Sequence, residues 1–338
     1  MIKSKTIIIG GDLTGGGGEK WIRRFYEVNK HNLNIDIVLF GEPKERIFNE
    51  IYLYPFQKKF KKRIIPTLYS FFRYVKSEKN QNWILASGLF NIITVWIIRF
   101  FGRPNRIIVR ETNLPIYYNP RLKHLYKLLN FSDSVVAQSV EMRDQLIKVG
   151  VNCSKILIIS NPVEFRPPKP IKKSIPLKPR LGYIGRYTHQ KGTDRILKAI
   201  NEGRLTNFSK LSFFGKGDIK IHSTNNIFDL GWQSKIDFED FDILLFPSRW
   251  EGMPNIIIEA ISHYKPIIAY KWEGGFYELK DYHNISLLQH GWKGNIDITI
   301  KKIVKNYDSV KLMASREKLF KNFNQENIYN QWLQLLDS

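Results

Sequence analysis

Two glutamates, Glu251 and Glu259, stand with seven residues between them in residues 247–260, PSRWEGMPNIIIEA. On spacing alone the segment also reads as a helix entry with two solvated acids. Between them Gly252, Met253 and Pro254 form a turn, and Asn255 opens an apolar run that reads as a helix. Proline costs little at a helix start, because its missing N–H would be unpaired there anyway. The first turn of such a helix offers N–H groups to an oxygen-rich ligand. Glu259 then falls inside the helix and Glu251 in the loop before it. A second group of residues is GRYTHQKG, 185–192, where Arg186 and Lys191 flank a turn directly after the strand-like LGYIG. A planar guanidinium fork and a mobile ammonium suit a diphosphate. The G-x-x-x-x-G-K-[ST] spacing is absent, which excludes a P-loop NTPase. A third is the glycine run 15–18 followed by Glu19, after TIIIGGD; glycines there let backbone approach a ligand closely.

The elements that must position these residues alternate. Strand-like TIIIGG (6–11) is followed by a helix from about 19 to 29, then IDIVLF (35–40), RIIVRE from 106, SVVAQS (134–139), the helical VEMRDQLIKVG, and KILIIS (155–160). Residues 161–180, NPVEFRPPKPIKKSIPLKPR, carry prolines without apolar periodicity and read as a stiff, exposed linker. Alternation resumes with RLGYIG (180–185), KLSFFG (210–215), NIFDLG (226–231), DILLFP (242–247) and PIIAY (266–270). The pattern predicts an α/β protein of two Rossmann-like domains, each a parallel sheet covered by helices, with the ligand loops after the strands and a cleft between the sheets. The expected divisions are 1–163, a proline-rich linker 164–180, a second domain 181–322, and a C-terminal helix 323–338 that crosses back to the first domain. That helix should place Ile328, Trp332 and Leu335 on one face.

Composition narrows the classes. A hydrophobic share of 43% and an aromatic share of 14% over 338 residues are ample for two packed cores, which excludes a disordered chain. Cys153 is the single cysteine, so no disulfide forms within the chain and a reducing compartment fits. MIKSKTIIIGGD does not read as a signal peptide. Residues 83–101, WILASGLFNIITVWIIRFF, approach the length of a membrane span. Ser87-Gly88 divides them, and a buried strand followed by a helix explains them better. Fifty-three Lys and Arg against 31 Asp and Glu give a net charge of +22, which calls for an anionic partner. Nucleic acid is one candidate, but no helix-turn-helix, zinc-finger or aromatic RNA-binding motif is present, and no nucleic-acid partner is expected.

Taken in order, the motifs resemble those of glycosyltransferase family 4, which has the GT-B fold. GGGEK (16–20) looks like that family's glycine-rich first loop and SNPVEF (160–165) like its crossover. IGRYTHQKG looks like its arginine–lysine loop and FFGKGD (213–218) like its strand–glycine turn. PSRWEGMPNIIIEA resembles its paired-glutamate motif, and EGG (273–275) with Glu278 the loop that follows. The second half carries most of the specificity; the first matches by pattern, as befits a domain that reads a variable acceptor. Two departures stand out. Many relatives carry a histidine where this chain reads Arg110-Glu111, and Tyr264 occupies a usual glycine position.

The resemblance implies a retaining enzyme that takes sugar from a nucleotide sugar, with Arg186 and Lys191 on the diphosphate, Glu259 on the ribose, and Glu251 with Gly252, Met253, Pro254 and Asn255 around the sugar. Gly16, Gly17 and Gly215 would lie close to the donor. It implies a lean towards UDP-hexose or UDP-N-acetylhexosamine, a glycan or lipid-linked acceptor in cell-surface polysaccharide (O-antigen, capsule or lipopolysaccharide) biosynthesis, and no cofactor or metal requirement. Asp240-Phe241-Asp242 has the aspartate spacing of a metal-dependent glycosyltransferase class, but precedes its strand instead of following it. A sugar-nucleotide epimerase of the same fold is the alternative enzyme. For location, the expectation is cytoplasmic, peripheral on the inner face of the cytoplasmic membrane. Lys58, Lys59, Lys61, Lys62 and Arg63 would meet anionic lipid, and Leu68, Phe71, Phe72 and Val75 would form the apolar face of an interfacial helix.

Overall fold

The computed structural model describes residues 5–11, 17–40, 51–52, 64–117, 120–163 and 170–337. The chain divides into two compact units, 1–161 with 326–338, and 162–325.

The first unit holds β1 (Thr6–Gly10), α1 (Gly17–Asn29), β2 (Ile35–Leu39), β3 (Ile51–Tyr52), α2 (Ile64–Ser77), β4 (Asn82–Leu85), α3 (Phe90–Phe101), β5 (Arg106–Arg110), β6 (Ser134–Ala137), α4 (Val140–Lys148) and β7 (Ile156–Ile158). All pairings are parallel, in the order β3-β2-β1-β4-β5-β6-β7. Ile8 of β1 lies between Ile37 of β2 and Ile84 of β4, and β1 is buried along its length. This is why the central strands read as unbroken Ile/Val/Leu runs: both faces of the sheet are covered. The membrane-like stretch 83–101 resolves into β4 and α3. Among the described residues no helix is long and apolar enough to cross a membrane.

The second unit holds β8 (Arg180–Ile184), α5 (Thr193–Asn201), β9 (Lys210–Phe214), β10 (Ile227–Asp229), β11 (Ile243–Phe246), α6 (Asn255–Ser262), β12 (Ile267–Ala269), α7 (Phe276–Leu279), β13 (Ile285–Leu287), α8 (Ile296–Lys305) and α9 (Ser309–Asn322). The parallel order is β10-β9-β8-β11-β12-β13. One core cluster joins Leu181, Tyr183, Phe213, Leu245 and Ile268 of the sheet to Ile196, Ile300 and Trp292 outside it. Two parallel, helix-covered sheets of this kind are the GT-B architecture.

Three local expectations change. Residues 170–179 are not simply exposed, because Ile175 joins the second unit's core. The last helix, α10 (Gln325–Asp337), buries Ile328, Tyr329, Trp332 and Leu336; Leu336 replaces Leu335 because the stripe advances by four from Trp332. Its residues from 326 onwards belong to the first unit, where Trp332 packs on Trp21 with ring centroids 4.7 Å apart and Tyr329 on Phe25 at 5.8 Å. On α2, Phe71 and Val75 are fully buried and Leu68 and Phe72 half-buried, so much of the face expected to meet lipid is internal. Apolar residues at helical spacing mark a buried stripe without saying what buries it.

Candidate functional site

In the second unit the strand order reverses between β8 and β11, which lie side by side. Ligands of open parallel sheets bind beyond the carboxyl ends of the strands at such a switch point. The loops leaving these two strands are 185–192 and 247–254, the two segments singled out in the sequence.

The loops are stitched together. Arg249 N–H donates to the Gln190 carbonyl at 2.8 Å, and Gln190 Nε2 donates to the Trp250 carbonyl at 3.1 Å. Gly192 has φ of 72°, and a Cβ there would collide with the Pro247 carbonyl, so only glycine fits at this crossing. Asp194, in the first turn of α5, grips Arg249 with two bonds of 2.8 and 2.6 Å, and Arg195 donates to the Pro247 carbonyl at 2.9 Å. A third loop joins them: Glu251 N–H donates to the Glu273 carbonyl at 2.8 Å, and Gly274, at φ of 85°, has no room for a side chain against the Glu251 carbonyl.

This frame carries an ion pair. Lys191 Nζ donates to both carboxylate oxygens of Glu251, each at 2.7 Å. Ser248 Oγ adds a bond of 2.8 Å to Glu251 Oε1. The side chains are 22% and 8% exposed, so the ammonium keeps an open side while the carboxylate is enclosed. Arg186 is exposed and donates to Gln190 Oε1 at 3.2 Å. Its carbonyl accepts from the buried Tyr183 hydroxyl at 2.8 Å, which anchors the loop to β8. Gly185 N–H donates to the Phe214 carbonyl, and a Cβ on Gly215 would collide with the Gly185 carbonyl, which sets Gly215 against the base of the same loop.

Gly252, Met253 and Pro254 are buried, and Pro254 caps α6 without a side-chain acceptor. α6 buries Ile257, Ile258, Ala260 and Ile261, leaving Asn255 and Glu259, one turn apart, half-buried on one face. The structure thus joins Lys191 to Glu251 directly and Arg186 to the same loops through Gln190. Gly16 and the cluster Lys58, Lys59, Lys61, Lys62 and Arg63 lie outside the described residues. Gly17 opens α1 in the first unit. Asp242 is committed elsewhere, at the start of β11, where it takes Lys172 at 2.7 Å and Arg180 at 3.0 Å. Burial works against its charge, and bonds from the Arg180 and Lys172 side chains and the Arg180 backbone outweigh that, holding the carboxyl at about 2. Among the described residues no group of three His, Cys, Asp or Glu gathers as a metal site.

Sequence reasoning missed Gln190 and Arg249, whose partners lie 60 and 55 residues away, and Ser248, which bonds Glu251 three residues on within its own loop. It noted Arg110-Glu111 without a role. Arg110 ends β5 and is 1% exposed; its guanidinium stacks on Trp21 at 4.7 Å and donates to Asn161 Oδ1 at 2.6 Å. Asn161 Nδ2 donates to Gln138 Oε1 at 2.9 Å, Gln138 Nε2 to the Glu111 carbonyl at 2.6 Å, and Asn91 Nδ2 to Glu111 Oε1 at 3.3 Å. Arg110 Nη1 and Glu111 Oε2 remain without a partner. Burial pushes the Glu111 carboxyl up to about 8, against the Asn91 bond and the Arg110 charge.

Residues 178–304 match the family profile described as Glycosyl transferases group 1, a span holding Arg186, Lys191, Gly215, Glu251, Gly252, Met253, Pro254, Asn255 and Glu259. Over that span the second unit is similar to glycosyl transferases group 1 domains. An uncharacterized 41.2 kDa protein in the cps region of Klebsiella pneumoniae is 26% identical over 41% of this chain and 42% of its own length. The poly(ribitol-phosphate) alpha-N-acetylglucosaminyltransferase of Staphylococcus aureus is 25% identical over 47% of this chain and 35% of its own. The matches thus span less than half the length of these curated relatives. Among solved structures, the lipopolysaccharide outer core galactosyltransferase WaaB superposes with a TM-score of 0.71 over 98% of this chain and 99% of that one, at 18% identity. HepE of Anabaena, solved with UDP and glucose, gives 0.78 over 99% of both chains at 15% identity. These superpositions establish the GT-B fold.

Proposed function

We propose that the chain is a retaining glycosyltransferase of family 4, transferring sugar from a nucleotide sugar, with UDP-hexose or UDP-N-acetylhexosamine the favoured donors. The acceptor is a glycan or lipid-linked glycan of cell-surface polysaccharide, met at the inner face of the cytoplasmic membrane. The observation that carries the reading is the junction of Lys191, Glu251 and the uncapped start of α6 at the switch point of the second sheet. It offers cations, an enclosed carboxylate and helix N–H groups within one frame. The cps-region relative, the poly(ribitol-phosphate) alpha-N-acetylglucosaminyltransferase of S. aureus and the UDP-bound HepE support the donor and the setting by likeness.

Arg186 and the open side of Lys191 would hold the diphosphate. Glu259, beside Asn255 on α6, would take the ribose hydroxyls, and Glu251 with the backbone of 252–254 the sugar. The acceptor oxygen bonds to the anomeric carbon as the carbon–phosphate oxygen bond breaks, and a departing phosphate oxygen takes the acceptor proton. Such front-face attack needs no carboxylate nucleophile, and the protein's work is positioning and stabilising the departing charge. We assign no metal to the reaction, because the basic loop meets the diphosphate and Asp242 is spent on Arg180 and Lys172.

A panel of sugar nucleotides scored by thermal stabilisation tests the donor, since a ligand that binds only the native state raises the midpoint. A UDP-sugar should stabilise the wild type and fail with Arg186→Ala. Equal stabilisation of both would remove the basic loop from the donor site. The anomeric configuration of the product, read by NMR, tests retention; an inverted product would refute it.

A further inference from the structure

α3 is apolar on every side. Its inner face buries Ile92, Thr94, Val95, Ile97 and Ile98. Its outer stripe does not: Ile93 is 42% exposed, Trp96 42%, Phe100 55% and Phe101 40%. A helix hydrophobic all round is normally covered all round. The stripe also continues onto its neighbours. The ring of Phe101 lies 5.0 Å from Phe72 of α2, Trp96 5.5 Å from Phe100 and 5.8 Å from Phe101, and Phe100 5.1 Å from Phe131. Tyr69, one turn before Phe72 on α2, is 62% exposed. A connected aromatic ridge of this kind marks an interaction surface.

The charges beside the ridge indicate what covers it. From Ile64 to Arg110 the sequence has a single acidic residue, Glu78, and Lys5 pairs with it at 2.9 Å. Over the same stretch Arg73, Lys76, Lys79 and Arg103 are exposed, and the Lys76 ammonium sits 4.7 Å above the Phe72 ring. Asp133, two residues beyond Phe131, is paired with Arg99 at 2.7 Å, so the excess charge around the ridge is positive. A bilayer with anionic headgroups fits such a rim, because it takes Trp and Phe at the headgroup boundary and cations on its phosphates.

We infer that the outer face of α3, with Tyr69 and Phe72 of α2, docks the first unit onto an anionic lipid bilayer, Trp96, Phe100 and Phe101 entering the headgroup boundary. The inference rests on the proposed membrane setting and gives it a surface other than the expected stripe of α2, whose Phe71 and Val75 are buried in the core.

The test is flotation of the full chain with vesicles of phosphatidylcholine alone or with phosphatidylglycerol, using wild type, the triple variant Trp96→Ser/Phe100→Ser/Phe101→Ser, and the control Tyr277→Ser. Tyr277 is 54% exposed on α7 of the second unit. Wild type and control should bind the anionic vesicles and release at high salt. The triple variant should bind at least about tenfold more weakly with an unchanged circular dichroism spectrum and melting midpoint, since each buried aromatic contributes to partitioning. Brominated lipid should quench wild-type tryptophan emission more than that of Trp96→Phe, a conservative variant that reports insertion even if the triple variant folds poorly. Wild-type affinity retained by the folded triple variant, or equal quenching in Trp96→Phe, overturns the assignment of this face while leaving membrane binding standing. Failure of the wild type to bind anionic vesicles overturns both. A wild-type dimer in solution that the triple variant dissociates would assign the ridge to a second copy instead.

Discussion

Replacing Glu251 by glutamine keeps the shape of the side chain and removes its charge. The structure shows three bonds at stake, two from Lys191 at 2.7 Å and one from Ser248 at 2.8 Å. Breaking a fully buried pair costs about 3–5 kcal/mol, because the remaining charge has lost its partner. Here the lysine is 22% exposed and water reaches it, so the cost should fall to about 2 kcal/mol. In a unit of this size that lowers the melting midpoint by about 4–8 °C. The assay is scanning calorimetry of Glu251→Gln, Lys191→Met and the double variant, following the transition of the second unit. The coupling energy should be about 1–2 kcal/mol, with the double variant losing less than the sum of the singles. Lys191→Met should also weaken nucleotide-sugar binding by about tenfold or more, the scale of one lost charged hydrogen bond. Additive single effects, with coupling below about 0.5 kcal/mol, would refute the pair as the site's electrostatic anchor.

Two pH dependences follow from buried carboxylates. Asp242 titrates near 2 in the folded chain, below its ordinary 3.8, so its contribution is present above about pH 4 and lost as pH falls towards 2. Asp242→Asn should therefore flatten the acid limb of the second unit's stability, and an unchanged limb in urea titrations at pH 2–5 would contradict the Arg180–Lys172 clamp. Glu111 titrates near 8, above its ordinary 4.5, so the folded first unit keeps a proton that the unfolded chain releases, and stability falls as pH rises from about 4.5 to 8. Glu111→Gln should flatten that slope and be relatively more stable at pH 8 than at pH 5; an identical slope in both proteins would show that Glu111 is solvated.

Much of the fold was legible because both sheets are parallel and covered on both faces. Runs such as TIIIG, NWIL, RIIVR and ILLF have no reason to be continuous unless they lie at a sheet's centre. The paired-glutamate helix was legible because proline and the apolar run fix where it begins, and α6 starts at Asn255 as that reasoning requires. What could not be read was pairing at a distance. Nothing local ties Lys191 to Glu251, 60 residues on, or Arg110 to Asn161, 51 residues on. The same limit explains α2 and α3. Helical periodicity reports that Phe71, Phe72 and Val75 share a stripe, but only the packed structure shows that this stripe is largely internal while the apolar outer face of α3 is not. Arg110-Glu111 stands out in sequence as two charges ending an apolar strand, and its burial with unpartnered atoms becomes visible only with Gln138, Asn91 and Asn161 in place.

On the proposed function, the second unit's loops hold a nucleotide sugar for transfer. The most direct measurement follows labelled sugar from a panel of nucleotide sugars into a membrane-derived glycan or lipid fraction, with wild type and Glu259→Ala, in the presence of EDTA. One donor should be consumed by the wild type, label should appear in the acceptor fraction with release of the nucleoside diphosphate, and Glu259→Ala should lose this activity while melting as the wild type does. A donor returned as its isomer with no label in the acceptor, or transfer undiminished in Glu259→Ala at limiting donor, would contradict the proposed function.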